Sequence, residues 1–158
     1  MSKEDQELEK LYTSYLEKQL RLDAQGTWHH DDTPFSHKRL SELFHRSVLW
    51  DDELKDYVIR IGKGRATFSH EGRVRFITSL REEDGKLFAR TAGGSEEELN
   101  PADLRLTEEE EFVVFSENSP LTYFTRTAQQ QILSHAESER ALEIGGNLYT
   151  VPFLEDEG

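Results

Sequence analysis

The chain has no cysteine and a single methionine in its 158 residues. Disulfides and thiol nucleophiles are excluded, and any metal site must be built from His, Asp and Glu. Long apolar runs are also missing. No stretch reaches the ~18 apolar residues that a spanning helix needs, and the N-terminus, "MSKEDQELEK", is charged. No membrane span and a cytoplasmic location are therefore expected. Positive charge is scarce as well, with 19 Lys and Arg against 32 Asp and Glu, a formal net charge of −13. Such a surface repels phosphate backbones and anionic membranes, so general nucleic-acid binding is not expected and a basic or cationic protein partner suits it better.

What the chain does have is aromatic residues. Nine Phe, five Tyr and two Trp are spread along it, which a disordered segment would lack, so a folded chain of one-domain size is expected.

The hydrophobic spacing divides the chain. Ser2 and Asp5 resemble a capping box ahead of Leu8, Leu11, Tyr12, Tyr15 and Leu16, which recur at helical spacing. The stripe of this helix either covers a sheet or projects and dimerises; we take the former, and a homodimer stays open. "LRLDAQGTWHH" reads as a hairpin, and Pro34 and Ser36 open a second helix, with Ser36 as its cap and Leu40, Leu43, Phe44 and Val48 as its buried stripe. From Tyr57 to Thr91 the period becomes two. "DYVIRIG", "RATFSH", "RVRFITSL" and "KLFART" read as four antiparallel strands of one central group, with "EFVVFS" as a fifth. "TAGGSEEELNPADL" reads as loop with a helical turn after Asn100-Pro101. Ser119-Pro120 starts a helix to about Glu137, and "ALEIGGNLYTVPF" closes the chain as a hairpin.

The expected fold is α+β in a single domain, an antiparallel sheet with about three helices packed against it. The boundaries are an N-terminal amphipathic helix at 1–19, a single α+β domain at 20–154 and an acidic tail at 155–158.

Two family resemblances attach to these motifs. "LDAQGTWHHDDTP" is similar to the D-x-Q-G-x-L-F-L-D-D-[ST]-K opening of uncharacterised protein family 0598, also domain-of-unknown-function family 4505, through Asp23, Gln25, Gly26, Asp31, Asp32 and Thr33. "GKGRATFSHEGRVRFITSL" and "GGSEEELNPADL" resemble later motifs of that family, while Pro34, His70 and Val74 depart from it. "GTWHHDDTPFSHKRLSELF" resembles the G-T-W-x-Y-x-G-T-P-I-x-R-x-x-L-V-x-L-F of domain-of-unknown-function family 1285, through Gly26, Thr27, Trp28, Thr33, Pro34, Leu40, Leu43 and Phe44. The resemblance implies an α+β fold and supplies no catalytic residue.

Candidate chemistry is sparse. His29, His30 and Asp32, with His70 or His135 brought in from elsewhere, are the one divalent-metal set the sequence offers, but neighbouring strand residues point to opposite faces and no fixed ligand spacing is present. We read "HHDD" as a strand-end turn and expect no cofactor. His37 and His45 read as solvated helix residues. "GKG" lacks a complete phosphate-loop pattern, and Ser36, Ser41, Ser47, Ser69 and Ser134 stand in no G-x-S-x-G. Arg60, Lys63, Arg65, Arg73 and Arg75 fall within sixteen residues that contain one acid, Glu71. Arg60, Arg65, Arg73 and Arg75 could bind an anionic ligand or partner, or simply pair with the chain's excess of glutamate at 96–98 or 108–111. Three functions follow. The first, which we favour, is a non-enzymatic interaction or signalling module. The others are a small metal-assisted hydrolase or anion-binding enzyme, and an acidic decoy or inhibitor of a basic target.

Overall fold

The capping expected at Ser2 is present in the computed structural model of the chain, which describes residues 2–117 and 119–154. The expected acidic tail, 155–158, lies outside the described residues. Ser2 Oγ accepts the Asp5 N–H at 3.1 Å and starts α1, Lys3–Leu16. By their contacts the residues divide into two units, Met1–Val74 and Arg75–Gly158.

In the first unit α1 is followed by β1 (Leu20–Leu22), β2 (Trp28–His30), β3 (Thr33–Pro34), α2 (Lys38–Arg46), β4 (Val48–Asp51), β5 (Asp56–Ile61) and β6 (Gly64–Thr67). Two antiparallel three-stranded sheets result, β1-β2-β3 and β4-β5-β6. Trp28, on β2, is fully buried at the centre of an aromatic cluster, with ring centroids of Phe68 at 4.9 Å and Phe44 at 5.7 Å in edge-on arrangements. None of the stripe of α1 is fully buried. Tyr15 lies on the rings of His30 and Phe35, and Leu16 lies over Gly64. The cap of α2 is His37 rather than Ser36. Its ring Nδ1 accepts the Leu40 N–H at 3.1 Å, doing what a Ser or Asp oxygen does elsewhere.

The second unit contains β7 (Arg75–Glu83), β8 (Lys86–Thr91), β9 (Glu96–Leu99), a 3-10 turn at Pro101–Asp103, β10 (Leu104–Leu106), β11 (Phe112–Val114), β12 (Thr122–Phe124), α3 (Arg126–Leu133), β13 (Ala141–Ile144) and β14 (Asn147–Thr150). Six strands form one sheet in the order β10-β11-β12-β7-β8-β9, with β13-β14 as a separate hairpin. α3 buries Ala128 and Ile132 in a core with Ile77, Leu87, Leu104, Phe112 and Leu142.

The α+β class holds, with three corrections. The sheet is mixed, because β12 runs parallel to β7, Tyr123 opposite Phe76. The four strands expected as one central group belong to two sheets, β5 and β6 with β4, and β7 and β8 in the large one. The helix expected from Ser119-Pro120 begins only at Arg126: Thr122–Phe124 is a strand, and Thr125 Oγ1 is the cap that accepts the Ala128 N–H.

Two contacts yield stability tests. The turns Asp84-Gly85 and Gly145-Gly146 have positive φ at both residues and press together, so that a Cβ on Gly145 would lie 2.5 Å from the Gly85 carbonyl oxygen. A Cβ on Gly64 would instead meet the end of the Leu16 side chain at 2.6 Å, which can swing aside. In chemical denaturation, Gly145→Ala is expected to cost on the order of 2–3 kcal/mol, and Gly64→Ala less than about 1 kcal/mol.

His45 packs edge-on to Trp28, its ring 5.7 Å away, and Nε2 donates to the Gly26 carbonyl at 2.9 Å. Burial pushes its imidazole down to about 4, since charging the ring would place a cation in the aromatic core. The unfolded chain therefore binds the extra proton first as pH falls. Stability from this group is present above the unfolded value of 6.5 and is lost as pH falls toward about 4. His45→Gln, which keeps the donor, should remove about 3 kcal/mol of the fall in unfolding free energy across that window.

Candidate functional site

The residues singled out in the sequence do not converge. His29 and His30 lead into a two-residue turn, Asp31-Asp32, with φ of 47° and 65°. "HHDD" is thus a tight hairpin turn. His29 Nε2 meets Asp23 Oδ2 at 2.9 Å, and His30 stacks on Tyr15. Asp31 Oδ1 accepts the Gln19 N–H at 3.0 Å. His70 lies apart, with Nε2 2.6 Å from Asp56 Oδ1 and Nδ1 accepting the Gly72 N–H. The His70 hydrogen bond holds the Asp56 carboxyl below the usual carboxylate range. Among the described residues no group of three or more His, Asp or Glu side chains is placed to share a metal ion. His37 and His45, read as solvated, are a helix cap and a core ring.

The four arginines are distributed between the units. Arg60 and Arg65 stand directly opposite each other across β5 and β6, an unfavourable juxtaposition of like charge. Asp51, buried at the end of β4, relieves it: Oδ2 takes Arg65 Nη1 at 3.0 Å while Oδ1 accepts the N–H groups of Glu53 and Leu54. The Leu54 hydrogen bond first, then that of Glu53 and the nearby Arg65 and Arg60, hold the Asp51 carboxyl below its ordinary range. Arg73 lies in the first unit, next to its last residue, Val74. Arg75 begins the second, where it pairs with Glu97 at 3.8 Å.

The second unit contains a site that the sequence reading did not assemble. After α3 the chain turns back on itself, with Ala136 bridging Leu142. The Glu143 N–H donates to the His135 carbonyl at 2.8 Å and the Glu137 N–H to that of Ala141. Residues opposed in an antiparallel ladder share a face, as do residues two apart. His135, Glu137 and Glu143 therefore project from the same face. The pressed turns Asp84-Gly85 and Gly145-Gly146 bring the end of β7 alongside, so Glu82 Oε2 lies 3.5 Å from His135 Nδ1. These four side chains, with Ser134 and Gly145-Gly146, line an open cleft of about 270 Å³.

Its electrostatics are set by one contact. The carboxyl of Glu137 is hydrogen-bonded to that of Glu143, which together with their mutual repulsion holds Glu137 above the usual glutamate range. Two carboxylates kept together in this way favour a proton or another cation between them. Ser134 Oγ donates to the Gln131 carbonyl at 2.6 Å, into its own helix. Among the described residues the cleft thus offers carboxylates and an imidazole without an activated hydroxyl.

Comparison with known proteins bears on the fold. A domain-of-unknown-function family 1285 protein from Silicibacter pomeroyi DSS-3 is similar over 85% of this chain and 79% of its own, at 12% identity and a TM-score of 0.59. A second protein of that family, from Shewanella baltica OS155, is similar over 75% of this chain and 92% of its own, at 14% identity and a TM-score of 0.55. The fold is similar to theirs. This agrees with the resemblance seen from Gly26 to Phe44, whereas the likeness to families 0598 and 4505 finds no support. No family model and no curated protein matches the chain. No helix among the described residues is long and apolar enough to cross a membrane.

The Glu137–Glu143 contact has a stability signature. Glu137 titrates above its unfolded value of 4.5, so the folded state is favoured at low pH and loses that advantage as pH rises through the raised value. Glu143→Gln should raise the melting temperature at pH 7.5, and the gain should shrink as pH falls toward 4.5. A drop at pH 7.5 would instead make Glu143 a supporting residue.

Proposed function

We propose that the protein is a non-enzymatic interaction module that binds a basic segment of a protein partner, seating a lysine or arginine side chain in the acidic cleft of its second unit. The observation that carries this reading is the Glu137–Glu143 pair, held in contact beside Glu82 in an open cleft. An incoming cation would relieve the repulsion between the two carboxylates, which supports this reading.

The distribution of charge supports the same partner. The first unit holds 12 basic and 14 acidic residues and the second 7 and 18, so the two carry −2 and −11. A field of that size steers basic partners inward and turns phosphate backbones away. The arginine surface has less to offer an anionic ligand, because Arg65 and Arg75 are engaged with Asp51 and Glu97. Catalysis has weaker support still, since the histidines are dispersed and Ser134 faces its own helix.

The test uses a fluorescein-labelled hexa-arginine peptide, followed by anisotropy. Binding should weaken steeply with added salt. Glu137→Gln with Glu143→Gln should raise Kd about tenfold or more, a loss of ~1.4 kcal/mol. Replacing Glu108, Glu109, Glu110 and Glu111 by Gln removes twice as many charges outside the cleft, and should change Kd by no more than about threefold. A larger loss from the fourfold variant would show a diffuse field rather than a site.

A further inference from the structure

The two pressed turns of the second unit differ in one chemical respect. Gly145-Gly146 has no side chains, whereas Asp84-Gly85 is the one Asp-Gly pair of the chain, and the sequence has no Asn-Gly. Both Asp84 and Gly85 are exposed at the tip of the β7–β8 hairpin, which Glu83 and Lys86 close as an opposed pair. Among the described residues nothing engages the Asp84 carboxylate, and nothing accepts the Gly85 N–H. An electrophilic carbon and the amide nitrogen that follows it are thus both unengaged, and glycine has no side chain to block their approach.

The turn also holds Asp84 near the φ that ring closure needs. With positive φ at both residues, 52° and 76°, the turn is type I′. Bringing the Gly85 nitrogen within bonding reach of Asp84 Cγ requires ψ of Asp84 to rotate to about −120°, which at φ near about +60° is the first central position of a type II′ turn. Types I′ and II′ both close a two-residue hairpin, so a flip of the single peptide plane between the two residues suffices and the strands stay paired. The turn at Asp31-Asp32 is different. Asp31 also has positive φ, but its carboxylate accepts the Gln19 N–H and lies 3.7 Å from Lys18 Nζ, and the residue after it has a side chain.

We propose that Asp84-Gly85 is a site of spontaneous isoaspartate formation in the folded protein. The Gly85 nitrogen attacks Cγ of the protonated Asp84 carboxyl, forming a C–N bond while the hydroxyl leaves with the amide proton as water. A second water then opens the five-membered imide at the Asp84 main-chain carbonyl, breaking its bond to the Gly85 nitrogen. The main chain now runs through Cβ and Cγ and is one carbon longer, and the former main-chain carbonyl is a free carboxylate. A turn lengthened in this way no longer fits a two-residue hairpin. Gly85 is thereby moved off Gly145, a contact so close that a Cβ on Gly145 would lie 2.5 Å from the Gly85 oxygen. The modification undoes the approach that sets Glu82 beside His135, whatever the cleft binds.

The test incubates the full chain at 37 °C and pH 7.4, folded and in urea, and probes both with isoaspartyl methyltransferase and labelled S-adenosylmethionine. The folded chain should gain label at a rate within about threefold of the chain in urea, and the label should map to the tryptic peptide 82–86. Asp84→Gly, which leaves a Gly-Gly pair that a type I′ turn accepts, should lose it. The isoaspartyl chain, separated from the unmodified one, should melt about 4 °C lower or more. Label confined to the urea sample, mapped elsewhere, or retained in Asp84→Gly would overturn the site. An unchanged melting temperature would overturn its effect on the Gly85–Gly145 contact.

Discussion

The second unit is held together against its own charge. It carries −11, yet its largest sheet contains an edge strand of sequence Glu-Glu-Glu-Leu. That strand pairs because a cation stands near each carboxylate: Arg81 for Glu96, Arg75 for Glu97 and Lys86 for Glu98. Arg81 does the most. Its guanidinium lies over the Phe88 ring at 4.6 Å, bonds Glu83 as well, and holds the Glu96 carboxyl below its ordinary range. These pairs are exposed, and each one is worth little alone. Their joint effect is to keep like charges from facing each other across the ladder, where repulsion would oppose the apolar burial of Leu87, Ala89 and Leu99.

The same logic accounts for what the sequence concealed. A run of glutamates has low strand propensity and reads as loop, but propensity in a sheet reflects cross-strand neighbours, which here lie six to twelve residues away. The helix expected from Pro120 failed for a related reason. Thr122 and Phe124 are buried in a parallel pairing with β7, more than forty residues earlier, and a parallel partner leaves no local turn signal to read. Local signals survived well: the Ser2 cap, the hairpin at Trp28, the 3-10 turn after Asn100 and the final glycine turn are all where nearest-neighbour chemistry puts them. His37 took the capping role from Ser36 because an unprotonated ring nitrogen is an acceptor, a role that residue statistics do not emphasise.

The cleft was illegible for a stronger reason. In the sequence His135 is one histidine to be brought in from elsewhere, and Glu82 reaches it only because two glycine turns sixty residues apart touch backbone to backbone. Neither turn announces the contact. Gly85 and Gly145 each look like ordinary hairpin chemistry, and only their mutual approach, which a Cβ on Gly145 would forbid, makes them part of a site. Glu137 and Glu143 are similarly ordinary until Ala136 bridges Leu142 and sets them on one face.

Charge partition decides which unit meets a basic partner. The first unit carries −2 and the second −11, so the average field over the first is weak. The second unit attracts a basic partner over the screening length, and the Glu137–Glu143 pair gives that attraction a place to act. A cation seated in the cleft is therefore sensitive to salt, because exposed carboxylates attract it only within the screening length.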